Sequence, residues 1–274
     1  MTINCNGQLI DLNAPKVMGI LNITPNSFFD GGTYKNEADI LSKVNKMLVD
    51  GATFIDIGAY SSKPNAEFVS VQEEINRILP VVALLMKQLP EVILSIDTFR
   101  SEVARICIES GAAIINDISA GKLDEKMMET VAKARVPYIM MHMKGNPQTM
   151  QTLTDYDNIV KEMILYFSER VFEARRHGIS DIIIDPGFGF AKTLDQNFEV
   201  IRKLEDFQML DLPLLAGISR KSMVYKTLET SPEEALNGTT VLNTISLSKG
   251  ANILRVHDVK EAAETVKLWN KLKK

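Results

Sequence analysis

The chain has 274 residues, 45% apolar and 24% charged, an ordinary composition for a soluble fold long enough to bury a large core. With 31 Lys and Arg against 35 Asp and Glu, a formal charge of −4 offers no basic face to a nucleic acid. No apolar run reaches the length of a membrane span, and Met1 to Asn13 lack the apolar centre of a signal peptide, so neither is expected. Cys5 and Cys107 have no metal-ligand spacing and read as reduced thiols of a cytoplasmic protein.

In chain order, residues 2–12 come first. Asn6-Gly7 favours a type I′ turn there, which predicts a small hairpin outside the main sheet, placed to close one end of it. Short apolar runs follow at 17–22, 53–57, 92–96, 112–116, 137–142, 181–185, 213–216 and 252–255. Such near-continuous runs are strands buried on both faces, the mark of a parallel sheet. Helical segments separate them. In 71–88, Val71, Ile75, Ile78, Leu79, Val82 and Leu85 share a face, and in 158–176 Ile159, Met163, Phe167 and Val171 do the same. Gly51, Gly111 and Gly178 stand just before strands, where a helix end wants a residue tolerant of positive φ. The count of β-then-α units predicts an α/β fold, a (β/α)₈ TIM barrel occupying residues 1–274 as one domain. A doubly wound sheet would carry G-x-G-x-x-G after its first strand, where this chain has Ile23-Thr24-Pro25-Asn26-Ser27.

Almost every run ends in a polar residue: Asn22, Asp56, Asp97, Asn116 with Asp117, His142, Asp185, then Ser219-Arg220-Lys221, then Arg255 and His257. In a barrel these ends converge on one mouth, where barrel enzymes keep their chemistry. Any single one could begin a loop or cap a helix. Taken together, charges such as Asp97, Asp185, Lys221 and Arg255 beside a packed core need partners or a ligand. In Asp185-Pro186-Gly187-Phe188-Gly189-Phe190, the carboxylate could accept two hydrogen bonds from an amidine-like edge such as a 2-amino-4-oxo-pyrimidine, or the segment could be a plain turn. Ser219-Arg220-Lys221-Ser222 and Arg255-Val256-His257 follow strands seven and eight, the phosphate corner of a barrel, and favour an anion site over a solvated loop. Two long Ser/Gly/Pro-rich loops, Asn22 to Gly32 and Gly58 to Asn65, carry Phe28, Phe29 and Tyr60 and read as lids. There is no G-x-S-x-G, H-E-x-x-H or Walker A pattern, and the three histidines lack zinc spacing.

These motifs, in this order, resemble the dihydropteroate synthase family of pterin-binding barrels. The resemblance rests on Met18-Gly19-Ile20-Leu21-Asn22-Ile23-Thr24-Pro25-Asn26-Ser27-Phe28 with Asp30-Gly31-Gly32, on Asp56 to Pro64 leading to Val69-Ser70 and Glu73-Glu74, and on Ser95-Ile96-Asp97-Thr98 and Ile115-Asn116-Asp117. It continues through Met141-His142-Met143, the Asp185 to Phe190 segment, Ser219 to Ser222 and Arg255 to His257, nearly the whole chain.

The resemblance implies condensation of 6-hydroxymethyl-7,8-dihydropterin pyrophosphate with 4-aminobenzoate, by SN1-like loss of pyrophosphate. Carried over by position, Asp97, Asn116, Met141, Asp185 and Lys221 hold the pterin. Asn22, Arg255 and His257 hold the pyrophosphate, and Asn22 also reaches Mg²⁺. Phe28, Ser62, Lys63, Pro64, Phe190, Lys221 and Ser222 surround the aminobenzoate. Asp97, Lys221 and Arg255 are the implied catalytic set, and a homodimer is implied. The loop Ser61-Ser62-Lys63-Pro64-Asn65 departs from the family's usual Ser-Thr-Arg-Pro-Gly: lysine loses the arginine fork, and asparagine narrows the backbone options. Two rivals are a methyltetrahydrofolate–corrinoid methyltransferase-like barrel, which handles no pyrophosphate, and a catalytically silent pterin-binding protein. The first has no use for Arg255 and His257, and the second should show decay at Asp97, Asp185, Lys221 or Arg255.

Overall fold

A computed structural model describes residues 1–23, 34–60 and 69–272. Strands β1 (Thr2–Cys5) and β2 (Gln8–Asp11) form the expected antiparallel hairpin, turning on Asn6 (φ 50°) and Gly7 (φ 90°). The remaining strands are β3 (Lys16–Asn22), β4 (Phe54–Gly58), β5 (Ile93–Asp97), β6 (Ile114–Asp117), β7 (Tyr138–Met141), β8 (Ile182–Asp185), β9 (Leu215–Ala216) and β10 (Ile253–Val256). They make one eight-stranded parallel sheet in the order β8-β7-β6-β5-β4-β3-β10-β9. A bridge between Ile184 and Leu214, with Ile184 N–H donating to Pro213 O at 2.9 Å, joins its two edges and closes the barrel. All eight expected strands are present. The run 213–216 contributes only two ladder residues: Pro213 has no N–H to give, and the Leu214 N–H goes to Asn252 Oδ1 at 2.9 Å.

The helices are α1 (Tyr34–Val49), α2 (Val71–Gln88), α3 (Ser101–Glu109), α4 (Met127–Ala134), α5 (Ile159–Arg176), α6 (Leu194–Arg202), α7 (Ser222–Tyr225), α8 (Leu236–Ser248) and α9 (Val259–Leu272). Ser70 caps α2 by accepting from the Glu73 N–H, and Asn158 caps α5 by accepting from the Lys161 N–H. Both helices bury the expected stripes, except that Val71, Leu79 and Val171 are only half-buried and Glu74 lies on the buried face. Gly51 and Gly111 (φ 108° each) and Gly178 (φ 91°) take the left-handed backbone that ends their helices.

Two apolar layers result. The outer one fills the space between strands and helices and contains Cys107. The inner one is a floor of Met18, Phe54, Ile93, Ile114, Ile139, Ile183, Leu215 and Ile253, sealed from below by Ile3, Cys5, Ile10 and Leu12 of the hairpin and its exit. Asn252 ties the seal on by donating to Leu12 O at 3.0 Å. Burial pushes both thiols up to about 12.

Candidate active site

Side chains alternate along a strand, so the residues two positions above the floor also face inward. These are Ile20, Asp56, Ser95, Asn116, Met141, Asp185 and Arg255, with Gly217 contributing backbone alone. A greasy floor thus carries a polar ring. Arg255 is its hub. Its Nε donates to Asp56 Oδ2 at 2.6 Å and its Nη2 to Asp97 Oδ2 at 2.7 Å. Asn116 Nδ2 donates to the same Asp56 oxygen at 3.0 Å. Burial works against the guanidinium's charge, but Asp56 and Asp97 together hold Arg255 above its ordinary value. Burial pushes Asp97 up to about 7, with Arg255 pulling the other way; a fifth of its side chain (20%) still reaches solvent. Asp117, next to Asn116, points outward instead. It is saturated by Ser119, Gly121 and Tyr138, which makes it a structural acid.

Across the mouth stands the loop after β8. The Asp185 carboxylate accepts from the Gly187 N–H at 2.8 Å, and burial raises its pKa while Lys221 draws it back. Lys221 Nζ donates to Phe188 O at 2.6 Å and lies 5.1 Å from the centre of the Phe190 ring. Burial lowers Lys221 to about 8 against the pull of Asp185. Met141 packs with Ile118, Met143, Met150 and Ala191, with Phe99 and Phe190 against them, as an apolar shelf beside the polar ring.

The phosphate corner is more tightly wired than its sequence suggests. Ser219 Oγ and His257 Nδ1 are 3.1 Å apart, and the His257 N–H donates to the same hydroxyl. Arg220 forks onto Asp258 at 2.9 and 2.6 Å, so that fork is committed to linking the loops after β9 and β10 and not to an anion. Ser222 opens α7, half-buried. Asn22 is exposed at the rim, and a Cβ built on Gly58 would lie 3.8 Å from its Oδ1 and 3.7 Å from Asp97 Oδ2, so the two side chains share that edge. The structure therefore gathers Asn22, Asp97, Asn116, Met141, Asp185, Phe190, Lys221, Ser222, Arg255 and His257 at one mouth. Phe28, Ser62, Lys63 and Pro64 lie outside the described residues.

Sequence reasoning left two groups out of the site. Asp56 sits in the apolar run Phe54-Ile55-Asp56-Ile57, and its inward register was the signal available. Lys192 is buried, and its Nζ contacts His142 Nδ1 (3.1 Å), Gly187 O (3.0 Å) and Phe190 O (3.0 Å). Burial and the nearby lysines hold His142 well below its usual range, so the neutral ring accepts this proton. A lysine at the end of a glycine-rich loop gives no sequence sign of such a role. Tyr60, read as a lid aromatic, packs edge-on to Phe99 at 5.3 Å, with Arg100 over its ring and Gln148 donating to its hydroxyl.

The comparisons agree with this geometry. The model of the family described as pterin binding enzyme matches residues 18–257. The dihydropteroate synthase of Escherichia coli (strain K12) is 42% identical over 271 residues, covering 98% of this chain and 95% of the relative. The Yersinia pestis dihydropteroate synthase, solved with a sulfonamide drug complex, superposes with a TM-score of 0.93 at 38% identity, covering 100% of this chain and 99% of that one. The Xanthomonas albilineans dihydropteroate synthase solved with 4-aminobenzoic acid gives a TM-score of 0.91 at 36% identity, covering 99% and 98%. A polar ring on an apolar floor, an acid opposite a lysine and this likeness over the full length lead to one statement: the chain belongs to the dihydropteroate synthase family of pterin-binding enzymes.

Proposed function

We infer that the chain is a transferase that joins 6-hydroxymethyl-7,8-dihydropterin pyrophosphate to 4-aminobenzoate, releasing 7,8-dihydropteroate and pyrophosphate. The observation that carries this reading is the Asp56–Arg255–Asp97 lattice facing Asp185 and Lys221 across one mouth. In this reading Asp185 accepts from the amino-pyrimidine edge of the pterin, Asn116 and Lys221 bond its other polar atoms, and Met141 packs on its face. The C–O bond breaks with its electron pair leaving on pyrophosphate, and a delocalised cation forms on the pterin methylene. Asp97 stabilises that cation, while Arg255 and His257 hold the anion. The aniline nitrogen then forms the C–N bond and passes its proton to pyrophosphate or water. No side-chain nucleophile is needed, and alignment does much of the work.

Asn22 fits the implied Mg²⁺, since it offers a neutral carboxamide oxygen, exposed at the rim, to an ion that keeps waters and takes phosphate oxygens. Bound there, the ion would neutralise charge on the departing pyrophosphate. In this reading Phe190, Lys221 and Ser222 take the aminobenzoate side, and Phe28, Ser62, Lys63 and Pro64 are assigned to it by the family resemblance alone. A homodimer is part of the proposal, supported by exposed Val241 on α8 and Leu268 and Leu272 on α9; light scattering tests it. A cytoplasmic location is supported by the free, buried thiols. Among the described residues, no helix is long and apolar enough to cross a membrane.

The test is a coupled assay for pyrophosphate release. Release that requires both substrates supports the reading. Release independent of aminobenzoate, or none, overturns it.

A further inference from the structure

Asp56 is fully buried in mid-strand and has no direct part in the reaction described above. Its hydrogen bonds are unusual for a simple counter-ion. A carboxylate paired only with arginine would take the two-pronged fork. Here Arg255 gives Asp56 its Nε alone and spends Nη2 on Asp97. Asp56 puts both of its bonds, from Arg255 and from Asn116, on Oδ2, while Oδ1 is buried without a partner among the described residues.

This pattern constrains Asn116. A carboxamide has a donor side and an acceptor side, whereas an ionised carboxylate can only accept. Held against the Arg255 charge, Asp56 compels Asn116 to turn its NH₂ inward. The carbonyl oxygen is left on the other side, and the side-chain bond that Asn116 makes among the described residues is the one through its NH₂. The same carboxylate fixes the plane of the Arg255 guanidinium and leaves Nη1 without a bond among those residues. We propose that Asp56 is a positioning residue. It sets the amide orientation of Asn116 and the plane of Arg255, and so fixes the donor and acceptor pattern that the mouth presents to a ring with an amidine-like edge. The proposal deepens the function stated above and rests on it for the identity of the ring.

The experiment is a double-mutant cycle read by calorimetry with 6-hydroxymethylpterin as the probe, using wild type, Asp56→Asn, Asn116→Ala and the pair. Asp56→Asn should weaken the probe by about 10-fold or more, as expected when a hydrogen bond to a charged group is lost. In the Asn116→Ala background the same change should cost less, about 2- to 3-fold, because only the route through Arg255 remains. Equal losses in both backgrounds would overturn the proposal. Asp56→Asn leaves Arg255 short of a charge and could fail to fold. A measurement on the unaltered protein therefore stands beside it. The Asn116 side-chain NH₂, assigned by its absence in Asn116→Asp, should exchange with solvent slowly without ligand. Exchange as fast as that of an exposed asparagine would overturn the proposal. Failure of the wild type to bind the probe would instead overturn the function reading and, with it, the ring's identity, while the exchange measurement still decides the orientation.

Discussion

At Asp185 the carboxylate is both the end of an apolar strand and one of the acids of the mouth, and its own loop takes up only one oxygen, through Gly187. Asp185→Asn replaces an acceptor with an amide whose NH₂ would face the ring's own donors. Pterin affinity should fall by about 10- to 100-fold, the 1–3 kcal/mol of a buried unpaired group, with little change in Tm. Near-normal affinity by titration would remove Asp185 from the ring site. The titrations of Asp97 and Lys221 set a second expectation. Asp97, raised by burial to about 7, is an anion only above that pH, and Lys221, lowered by burial to about 8, is a cation only below that pH. The free enzyme is in its working state between the two, so kcat/KM should be bell-shaped with limbs near these values. Lys221→Arg, permanently charged, should flatten the alkaline limb while lowering the maximum; an unchanged limb would exclude Lys221. Asp97, Asp185 and Arg255 could be read from sequence because an ionised group at the end of an apolar run is costly without a purpose. Asp56 was harder to read, since a strand acid resembles a strand end until the register shows which way it faces.

Among the elements, the loop from Asp185 to Lys192 is the most sharply constrained. Gly187 has φ +68°, and a Cβ there would run into the carbonyl oxygen of His142 and the side chain of Met141. Gly187→Ala should therefore cost about 1–2 kcal/mol for left-handed backbone and a further 1–3 kcal/mol for the clash. Because the loop carries Asp185 and the Phe188 carbonyl that holds Lys221, pterin KM should rise with it. A variant with normal Tm and normal KM would show that the loop tolerates the shift. Strand positions were legible because a parallel barrel buries both faces of each run, and the helices at 71–88 and 158–176 because their stripes repeat at helical spacing. Sequence could not show that Lys192 staples this loop from beneath. Its three partners are two backbone carbonyls and a histidine fifty positions earlier, and nothing in local spacing encodes that meeting.

For the whole molecule, stability and chemistry sit at opposite ends. The hairpin seals the floor with Ile3, Cys5, Ile10 and Leu12, and the polar ring stands above the same floor. Ile3→Ala should destabilise the fold by about 2–5 kcal/mol through the cavity it leaves, yet leave kcat/KM of the folded fraction near wild type. A comparable fall in both would mean that the plug also shapes the mouth. The barrel was legible from the count of strand–helix units, whereas closure through the single Ile184–Leu214 bridge is a matter of shear that no one-dimensional pattern records. The two buried thiols give this layout a further use. Cys5 lies in the seal, Cys107 lies on the buried face of α3 in the outer layer, and each is kept protonated by burial. An alkylating reagent should meet neither in the native enzyme, so the rate at which each is modified clocks the opening of its own compartment. If the hairpin frays before the barrel unfolds, Cys5 will be labelled first and the enzyme will still turn over.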